Sequence, residues 1–199
     1  MAIHDRLFIS MNDFYDLFGY LDYIAYDNLM ITGNDANALR IMWNFIKPIK
    51  AVEFGINEGK TAQILLNEGF VKEYIGIDIP SGEKPSLKFQ YKETPLKPGR
   101  VVEKDSRVKI ILSNTLRREK CLTNISDVDF VFIDGDHSIE GVLNDSLLAI
   151  NMVNKGAIIC WHDYSLVSET TRVLLYLNDV KKWNIRHIEG TFICFMLIE

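Results

Sequence analysis

The sequence predicts an α/β fold built on a doubly wound, mostly parallel sheet of seven strands. Short apolar runs alternate with amphipathic stretches from residue 47 onward, as strands and helices do in a parallel sheet. The last two apolar runs meet at residues 189–191, which predicts an antiparallel hairpin at the C-terminal end. Residues 1–46 precede the alternation and have a helical pattern. We therefore divide the chain into an N-terminal helical cap (1–46) and a sheet domain (47–199).

Five of the strands lie before the hairpin, and each is a short apolar run. They are predicted at residues 49–55, 73–78, 107–112, 128–134 and 157–163. A helix follows the first strand and ends at Gly69, and another follows the fourth strand with apolar residues on one face. Gly156 is expected to stop that second helix before the fifth strand, and a further helix covers residues 169–177.

The composition disfavours several classes of protein. The chain has 199 residues, of which 48% are hydrophobic and 25% charged, as in a globular protein with one core. Its net charge of −5 disfavours a nucleic-acid partner, which normally requires a basic surface. No apolar run reaches the ~18 residues of a membrane helix, and no signal peptide is visible at the start. Three widely spaced cysteines indicate a reduced, cytoplasmic protein.

Two segments leave their roles open. The cap could simply pack on the sheet, or it could form a lid over a ligand site or the surface of a homodimer. Residues 80–107, an insertion in the sheet domain, hold four of the five prolines and seven Lys or Arg against four Asp or Glu. Such a long segment is either a functional lid, whose charge would favour an anionic substrate, or a solvated, disordered loop.

An acid and two glycines follow the first strand in the pattern Glu53-x-Gly55-x-x-x-Gly59. Gly55 would allow a tight turn, and Gly59 would allow a ligand to approach the start of the helix. The pattern lacks the G-x-G-x-x-G spacing of a dinucleotide-binding loop. Asp78, at the end of the second strand, is placed to accept both ribose hydroxyls of a nucleoside. The loop therefore favours a nucleoside ligand, and glycines that serve only packing are the alternative.

At these residues the chain resembles the class I S-adenosylmethionine-dependent methyltransferases, which have a Rossmann-like fold. The stretch VEFGINEG is similar to the first motif of that family, and GID is similar to its acidic second motif. The resemblance covers about residues 46–199. It implies a site for S-adenosylmethionine at Glu53, Gly55, Asn57, Gly59, Asp78, Ile79, Ser113, Asn114 and Asp134. Ser113 and Asn114 would lie at the adenine, where many members of the family have an acid.

Polar side chains end the fourth and fifth strands. Asp134, Asp136 and His137 follow the fourth strand, and His162 and Asp163 end the fifth. Since neighbouring strands lie ~4.8 Å apart, their carboxyl ends can offer side chains to one ion. Asp134 and Asp163 would suit Mg²⁺, and His162 would shift the preference towards Mn²⁺, Fe²⁺ or Zn²⁺. Alternatively, Asp136 and Asp163 cap helices and His162 is a core histidine.

These strand ends are similar to those of the metal-dependent O-methyltransferases of the macrocin and catechol type. The resemblance implies metal ligands at Asp134 and Asp163, with His162 where many relatives have an acid or amide. It also implies a general base just after the first metal ligand, at Asp136 or His137. The unperturbed pKa of histidine, ~6.5, suits proton removal near neutral pH.

The residues and the resemblance together predict a methyltransferase that uses S-adenosylmethionine. Its acceptor would be a hydroxyl of a small molecule or sugar, and a divalent metal, Mg²⁺ or Mn²⁺, would assist. Methylation of nucleic-acid bases is disfavoured, because no NPPY or DPPY motif follows the fourth strand and no Pro-Cys pair exists. Three alternatives remain open: a metal enzyme of the cephalosporin hydroxylase type, a lyase that cleaves the cofactor, and a non-catalytic protein that binds it.

Overall fold

The computed structural model describes residues 7–27, 29–92, 94–117 and 119–199. Within these ranges, eight strands form one sheet. The strands are β1 (Phe8–Ile9), β2 (Lys50–Phe54), β3 (Glu73–Asp78), β4 (Val108–Leu112), β5 (Val128–Ile133), β6 (Val153–Trp161), β7 (Arg186–Ile188) and β8 (Cys194–Leu197). The helices are α1 (Met11–Phe18), α2 (Gly33–Ile46), α3 (Lys60–Asn67), α4 (Lys120–Thr123), α5 (Ile139–Met152) and α6 (Glu169–Lys181).

The strand order in the sheet is β1-β7-β8-β6-β5-β2-β3-β4. Strands β2 to β6 are parallel, and β8 lies antiparallel between β6 and β7. This arrangement confirms the predicted parallel sheet with a C-terminal hairpin. All seven predicted strands form, and the short β1 adds another beside β7. The chain order reverses between β5 and β2, so the carboxyl ends of these central strands border a crevice.

Both faces of the sheet are covered by helices. On one face, Phe130 and Phe132 of β5 belong to a core with buried residues of α1, α2 and α3. On the other face, Val131 and Ile133 of the same strand pack with α4, α5 and α6. This alternation follows from the two-residue period of a strand. No helix in the described part of the chain is both long and apolar enough to span a membrane.

The N-terminal cap contains two helices joined by an irregular segment, and it is not helical throughout. The first six residues and residue 28 of the predicted cap lie outside the described residues. Helix α2 begins with a capping box, in which the side chains of Thr32 and Asp35 each bond to the other's backbone amide. Trp43 of α2 packs edge-on against a phenylalanine ring of β5, with ring centroids 5.2 Å apart. Helix α2 is therefore anchored in the core; the division of the chain at residue 46 stays a prediction.

One of the two predicted glycine boundaries is wrong. Gly69 follows α3 with a φ of +84°, in agreement with the predicted helix end. Gly156 does not separate α5 from the fifth predicted strand, because β6 already begins at Val153. Instead, Gly156 lies within β6, where the register with β5 is irregular, and its φ is +83°. The glycine therefore permits an irregularity in the strand.

The described residues of the 80–107 segment, which leave out residue 93, lie over the carboxyl ends of the central strands. The buried side chain of Gln90 donates a hydrogen bond of 2.9 Å to the carbonyl of Gly135. The backbone amide and the hydroxyl of Ser86 both donate to the carboxylate of Asp136. Both contacts attach the 80–107 segment to the end of β5.

Candidate functional site

A cleft of about 1260 Å³, which includes solvent at its open mouth, lies at the carboxyl ends of β2 to β6. The cleft brings together every predicted site residue except Gly59. These residues are Glu53, Gly55, Asn57, Asp78, Ile79, Ser113, Asn114, Asp134, Asp136, His137, His162 and Asp163.

The two glycines after β2 make room for protein backbone and side chains. Gly55 has a φ of +83°, and a Cβ there would lie 2.2 Å from the carbonyl oxygen of Asp134. Gly59 has a φ of +90°, and a Cβ there would lie 2.9 Å from Val102 Cγ2. A side chain at Gly59 would therefore meet the 80–107 segment, and the approach of a ligand to the start of the helix at Gly59 stays a prediction. Gly55 is required by the close passage of β5.

Glu53 is fully buried near the floor of the cleft. The hydroxyl of Tyr74 donates a hydrogen bond of 2.8 Å to Glu53 Oε2. Burial raises the pKa of Glu53 well above its usual range, against the opposing effect of the Tyr74 bond. The negative charges of Asp134 and Asp78 raise that pKa further. A carboxyl held in this way can be neutral, and it can then donate as well as accept a hydrogen bond.

Asp78 is held by the backbone of the loop that it faces. Its Oδ2 accepts from the amide of Asn57 at 2.7 Å, and its Oδ1 accepts from the amide of Ile79 at 2.8 Å. Asn57 contributes its backbone amide to this contact, and its backbone is in the left-handed region, with a φ of +49°. These bonds orient the carboxylate, and each oxygen has a second lone pair for a hydroxyl donor in the cleft.

The end of β4 and the facing side of α5 form another wall of the cleft. Ser113 is buried and donates to Glu119, and Asn114 accepts from the amide of Leu116. Asp145 of α5 also lines the cleft, although the sequence analysis missed it. It is 1% exposed, and burial raises its pKa to about 7. Asp145 lies at helical spacing from the apolar residues Val142, Leu148 and Ala149, and an acid on that face was the signal that could have identified it.

At the ends of β5 and β6, two histidines bridge two acids. His162 Nδ1 lies 3.3 Å from Asp134 Oδ1 and 3.4 Å from Asp163 Oδ1. His137 Nε2 lies 3.0 Å from Asp163 Oδ2 and 3.5 Å from Asp134 Oδ1. Side chains from these two strand ends were predicted to reach one ion, with Asp134, His162 and Asp163 as candidate ligands and His137 as a candidate base, since neighbouring parallel strands end at the same edge of a sheet.

A fifth residue of this group comes from the cap and was not predicted. Asp35 is fully buried, and its Oδ2 lies 3.2 Å from His162 Nε2. Its other oxygen accepts a 2.7 Å hydrogen bond from the backbone amide of Phe192. Asp35 thus ties α2 and the C-terminal hairpin to one nitrogen of His162, while the other nitrogen points at Asp134 and Asp163.

The charges of this group determine its protonation. Burial opposes the charged form of His162, but the charge of Asp134 and the contacts with Asp134, Asp163 and Asp35 raise its pKa to about 12. Burial likewise opposes ionisation of Asp134, but the charge of His162 and hydrogen bonds from both histidines lower its pKa to about 2. The pKa of His137 is also raised, because Asp134 and Asp163 outweigh its burial. In the ion-free protein, protons on the histidines balance the acids.

The same side chains fit a divalent cation. Among the described residues, one potential ligand atom each of Asp134, His162 and Asp163 lies within 4.8 Å of the other two. Cations bind such oxygen and nitrogen atoms at about 2.0–2.2 Å, so one ion could reach all three after small movements. Two carboxylates and one imidazole suit Mn²⁺ or Fe²⁺ better than Mg²⁺. Binding would release the proton of His162.

Asp136 and His137 differ in how they are held. Asp136 accepts from Ser86 of the 80–107 segment and from the amide of Ser138, at the start of α5. The N-cap of α5 is Ser138, whose hydroxyl accepts from the amide of Gly141, so the helix-capping alternative for Asp136 is wrong. The ring of His137 lies with its Nε2 against the acids and its centroid 6.2 Å from that of Phe89. The side chain of His137 therefore faces Asp134 and Asp163, whereas that of Asp136 faces Ser86 of the 80–107 segment.

Comparisons with known proteins agree with the fold. A Podospora anserina methyltransferase with bound S-adenosylhomocysteine superposes with a TM-score of 0.61 at 12% identity, covering 85% of this chain and 79% of that one. A Bacillus cereus O-methyltransferase, also in complex with S-adenosylhomocysteine, gives a TM-score of 0.61 at 11% identity, covering 94% and 90%. Spermidine synthase from Thermotoga maritima gives 0.50 at 13% identity, covering 77% of this chain and 54% of that one. The class I methyltransferase fold is thereby confirmed.

Sequence comparisons add a relative and a family. An uncharacterized protein of Acanthamoeba polyphaga mimivirus is 29% identical over 136 residues, which are 65% of this chain and 58% of the relative. The chain thus spans little more than half the length of this relative and of the spermidine synthase. A family model described as a methyltransferase domain matches residues 52–164, which is more than half of the chain. The protein belongs to this methyltransferase-domain family.

Proposed function

We propose that the protein transfers the methyl group of S-adenosylmethionine to a hydroxyl of a small molecule or sugar, assisted by a divalent cation. One observation carries the proposal: a single cleft combines a carboxylate placed for ribose, Asp78, with the acid–histidine group of Asp134, His162 and Asp163. The domain family supports methyl transfer. The O-methyltransferases among the solved structures of the same fold support oxygen as the acceptor atom.

The cofactor would lie across the ends of β2, β3 and β4. Asp78, oriented by two backbone amides, would accept the ribose hydroxyls. Glu53 and the backbone beside Gly55 would surround the methionine part, where a neutral Glu53 can donate to its carboxylate. This placement directs the methyl-bearing sulfur towards the ends of β5 and β6.

The cation would be held by Asp134, His162 Nδ1 and Asp163. The contact between His162 Nε2 and Asp35 supports this assignment, because a carboxylate that takes the N–H of one imidazole nitrogen leaves the other nitrogen free to ligate. When bound, a cation in this position lowers the pKa of an acceptor hydroxyl and neutralises the two acids.

The proton of the acceptor hydroxyl would move to His137 Nε2. The charges of Asp134 and Asp163, which raise the pKa of His137, would be neutralised by the cation, and this would leave the nitrogen able to accept the proton. In the balanced step, the hydroxyl O–H bond breaks towards His137, and the oxygen attacks the methyl carbon. As the new oxygen–carbon bond forms, the carbon–sulfur bond breaks and its electron pair stays on sulfur, which leaves S-adenosylhomocysteine. His137 is preferred over Asp136 because the carboxylate of Asp136 is already bonded to Ser86 and Ser138. Asp136 would instead hold the 80–107 segment in place.

The acceptor would enter between the cap and the 80–107 segment. Met30 of the cap and Pro85, Gln90, Thr94 and Pro95 of the segment line the cleft. The lysines of the segment would favour an acceptor that carries an anionic group. A homodimer formed through the cap remains a further proposal, and its test is the oligomeric state of the protein in solution.

The function can be tested in two steps. Calorimetry should detect binding of S-adenosylmethionine and S-adenosylhomocysteine to the purified chain. Chelator-treated protein should then be incubated with S-adenosylmethionine and a panel of phenols, sugars and sugar phosphates, with or without Mn²⁺ or Mg²⁺. We expect equal amounts of methylated acceptor and S-adenosylhomocysteine, and only in the presence of the metal.

Other outcomes would identify the alternatives. Cleavage of the cofactor without a methylated product would indicate a lyase. Tight binding of the cofactor without turnover on any acceptor would favour a non-catalytic role. Binding of NAD in place of the sulfonium cofactor would overturn the proposed function.

A further inference from the structure

The loop of residues 135–137 joins β5 to α5 and carries the proposed base, His137. The pairing of β5 with β2 and β6 extends to Ile133, and the amide of Asp134 still donates to the carbonyl of Phe54 at 2.9 Å. Residues 135–137 lie beyond this pairing and before the first turn of α5. Their conformation therefore depends on contacts from outside the sheet.

A side chain of the 80–107 segment supplies such contacts. Gln90 is 7% exposed, and its Nε2 donates a 2.9 Å hydrogen bond to the carbonyl of Gly135. Its Oε1 accepts from the backbone amide of His137 at 3.3 Å. One side-chain amide thus bonds to a carbonyl and an amide two residues apart. A parallel strand makes the same pair of bonds with its neighbour, so Gln90 extends the pairing of β5 past the end of the strand.

These bonds hold the backbone from which the imidazole of His137 projects. The Nε2 of that ring lies 3.0 Å from Asp163 Oδ2. Phe89, which precedes Gln90 in the chain, has its ring centroid 6.2 Å from that of His137. The segment therefore contacts His137 both at its backbone and at its ring. Proton transfer requires hydrogen-bond reach, and a misplacement of ~1 Å can cost about 10²-fold in rate.

We infer that Gln90 is a positioning residue for methyl transfer, because its amide holds residues 135–137 so that His137 Nε2 meets the acceptor hydroxyl. The inference rests on the proposed function, since it takes His137 as the base. Gln90 also lines the cleft, so a direct contact with the acceptor is the competing role. The nitrogen and the oxygen of its side chain both bond to backbone, which favours positioning.

The test uses Gln90→Met, which keeps the length of the side chain and loses both hydrogen bonds. We expect kcat for methyl transfer to fall by ~10–10²-fold, with KM for the acceptor within about twofold of the wild type. Calorimetry should give an unchanged affinity for S-adenosylhomocysteine. Hydrogen exchange of the His137 amide, followed by NMR, should be about fivefold faster or more. Gln63→Met, the same change at an exposed glutamine of α3, should match the wild type in every measurement.

A double-mutant cycle separates positioning from a direct contact with the acceptor. In the His137→Ala background, Gln90→Met should lower kcat by no more than about twofold, because the side chain that it positions is absent. Gln90→Asn, whose amide is one carbon too short to reach both groups, replaces Gln90→Met if that variant does not fold.

Three results would overturn the inference: an equal fall of kcat in both backgrounds, a rise in KM with kcat unchanged, or a wild-type kcat in Gln90→Met. A failure of the proposed function has a different signature. If the wild type transfers no methyl group, or if His137→Ala keeps the wild-type rate, the proposed reaction or its base is refuted, and this inference with it.

Discussion

The two halves of the cleft hold their carboxyl groups in different ways. At the ends of β2 and β3, Glu53 and Asp78 are held by a tyrosine hydroxyl and by backbone amides. At the ends of β5 and β6, Asp134 and Asp163 are held by imidazoles. We refer to these as the amide half and the imidazole half.

The difference shows which ligand each half can accept. Backbone amides are neutral and permanent donors, so they orient Asp78 as an acceptor for hydroxyl or amino donors. The neutral form of the buried Glu53 carboxyl can also donate. In the imidazole half, protons balance the acids, and a proton can be exchanged for a metal cation or for the proton of a substrate. One half therefore suits binding of a nucleoside, and the other suits proton transfer and metal binding.

The largest effect should come from the imidazole half. Replacing His137 with alanine should lower the methyl-transfer rate by ~10²–10⁴, because it removes the proposed base. Affinity for S-adenosylhomocysteine should not change, since the proposed cofactor site lies in the amide half. Single-turnover kinetics and calorimetry would check both. A larger rate loss in Asp136→Asn than in His137→Ala would assign the base to Asp136.

In the amide half, Asp78→Ala should weaken cofactor binding by about 1.5–3 kcal/mol, because charge-assisted hydrogen bonds to the ribose are lost. Calorimetry with S-adenosylhomocysteine measures this change. Binding of Mn²⁺ should be the same as in the wild type, because Asp78 is not part of the proposed metal site. An unchanged cofactor affinity would remove Asp78 from the site.

The support of His162 by the cap can be tested with Asp35→Asn. We expect a loss of about 10–100-fold in Mn²⁺ affinity, as for other residues that orient a metal-binding histidine. Ser10→Ala is a control, since it removes the side-chain cap of the other cap helix, α1, through its bond with the amide of Asp13 and not through Asp35 or His162. Equal Mn²⁺ affinity in Asp35→Asn and the wild type would show that Asp35 serves only the capping of α2.

The smallest effect is a pH dependence of stability at Asp145. Its pKa is about 7 in the folded protein, against ~3.9 in an unfolded chain, so the folded state binds the proton more tightly. Stability from this residue is present at low pH and is lost as pH rises from about 4 to 7. Asp145→Asn should therefore raise the melting temperature more at pH 8 than at pH 5. Equal shifts at both pH values would argue against the raised pKa.

The strand ends could be predicted from the sequence, but the helix contributions could not. Asp134, His162 and Asp163 follow apolar runs, and parallel strands bring such positions to one edge. Asp35 lies 127 residues from His162 along the chain, and their contact depends on how α2 packs on the sheet. Val102, the neighbour of Gly59, belongs to the 80–107 segment, and no periodic pattern of apolar residues predicts the path of that segment. Both contacts are products of tertiary packing.

The central claim is that the imidazole half holds a divalent cation beside the cofactor. The most direct measurement is Mn²⁺ binding to chelator-treated protein at pH 7, by calorimetry in two buffers of different ionisation enthalpy. We expect one ion per chain with release of a proton, and loss of this binding in Asp163→Ala with unchanged affinity for S-adenosylhomocysteine. Mn²⁺ binding that is the same in Asp163→Ala, or methyl transfer that survives both EDTA and this substitution, would contradict the account.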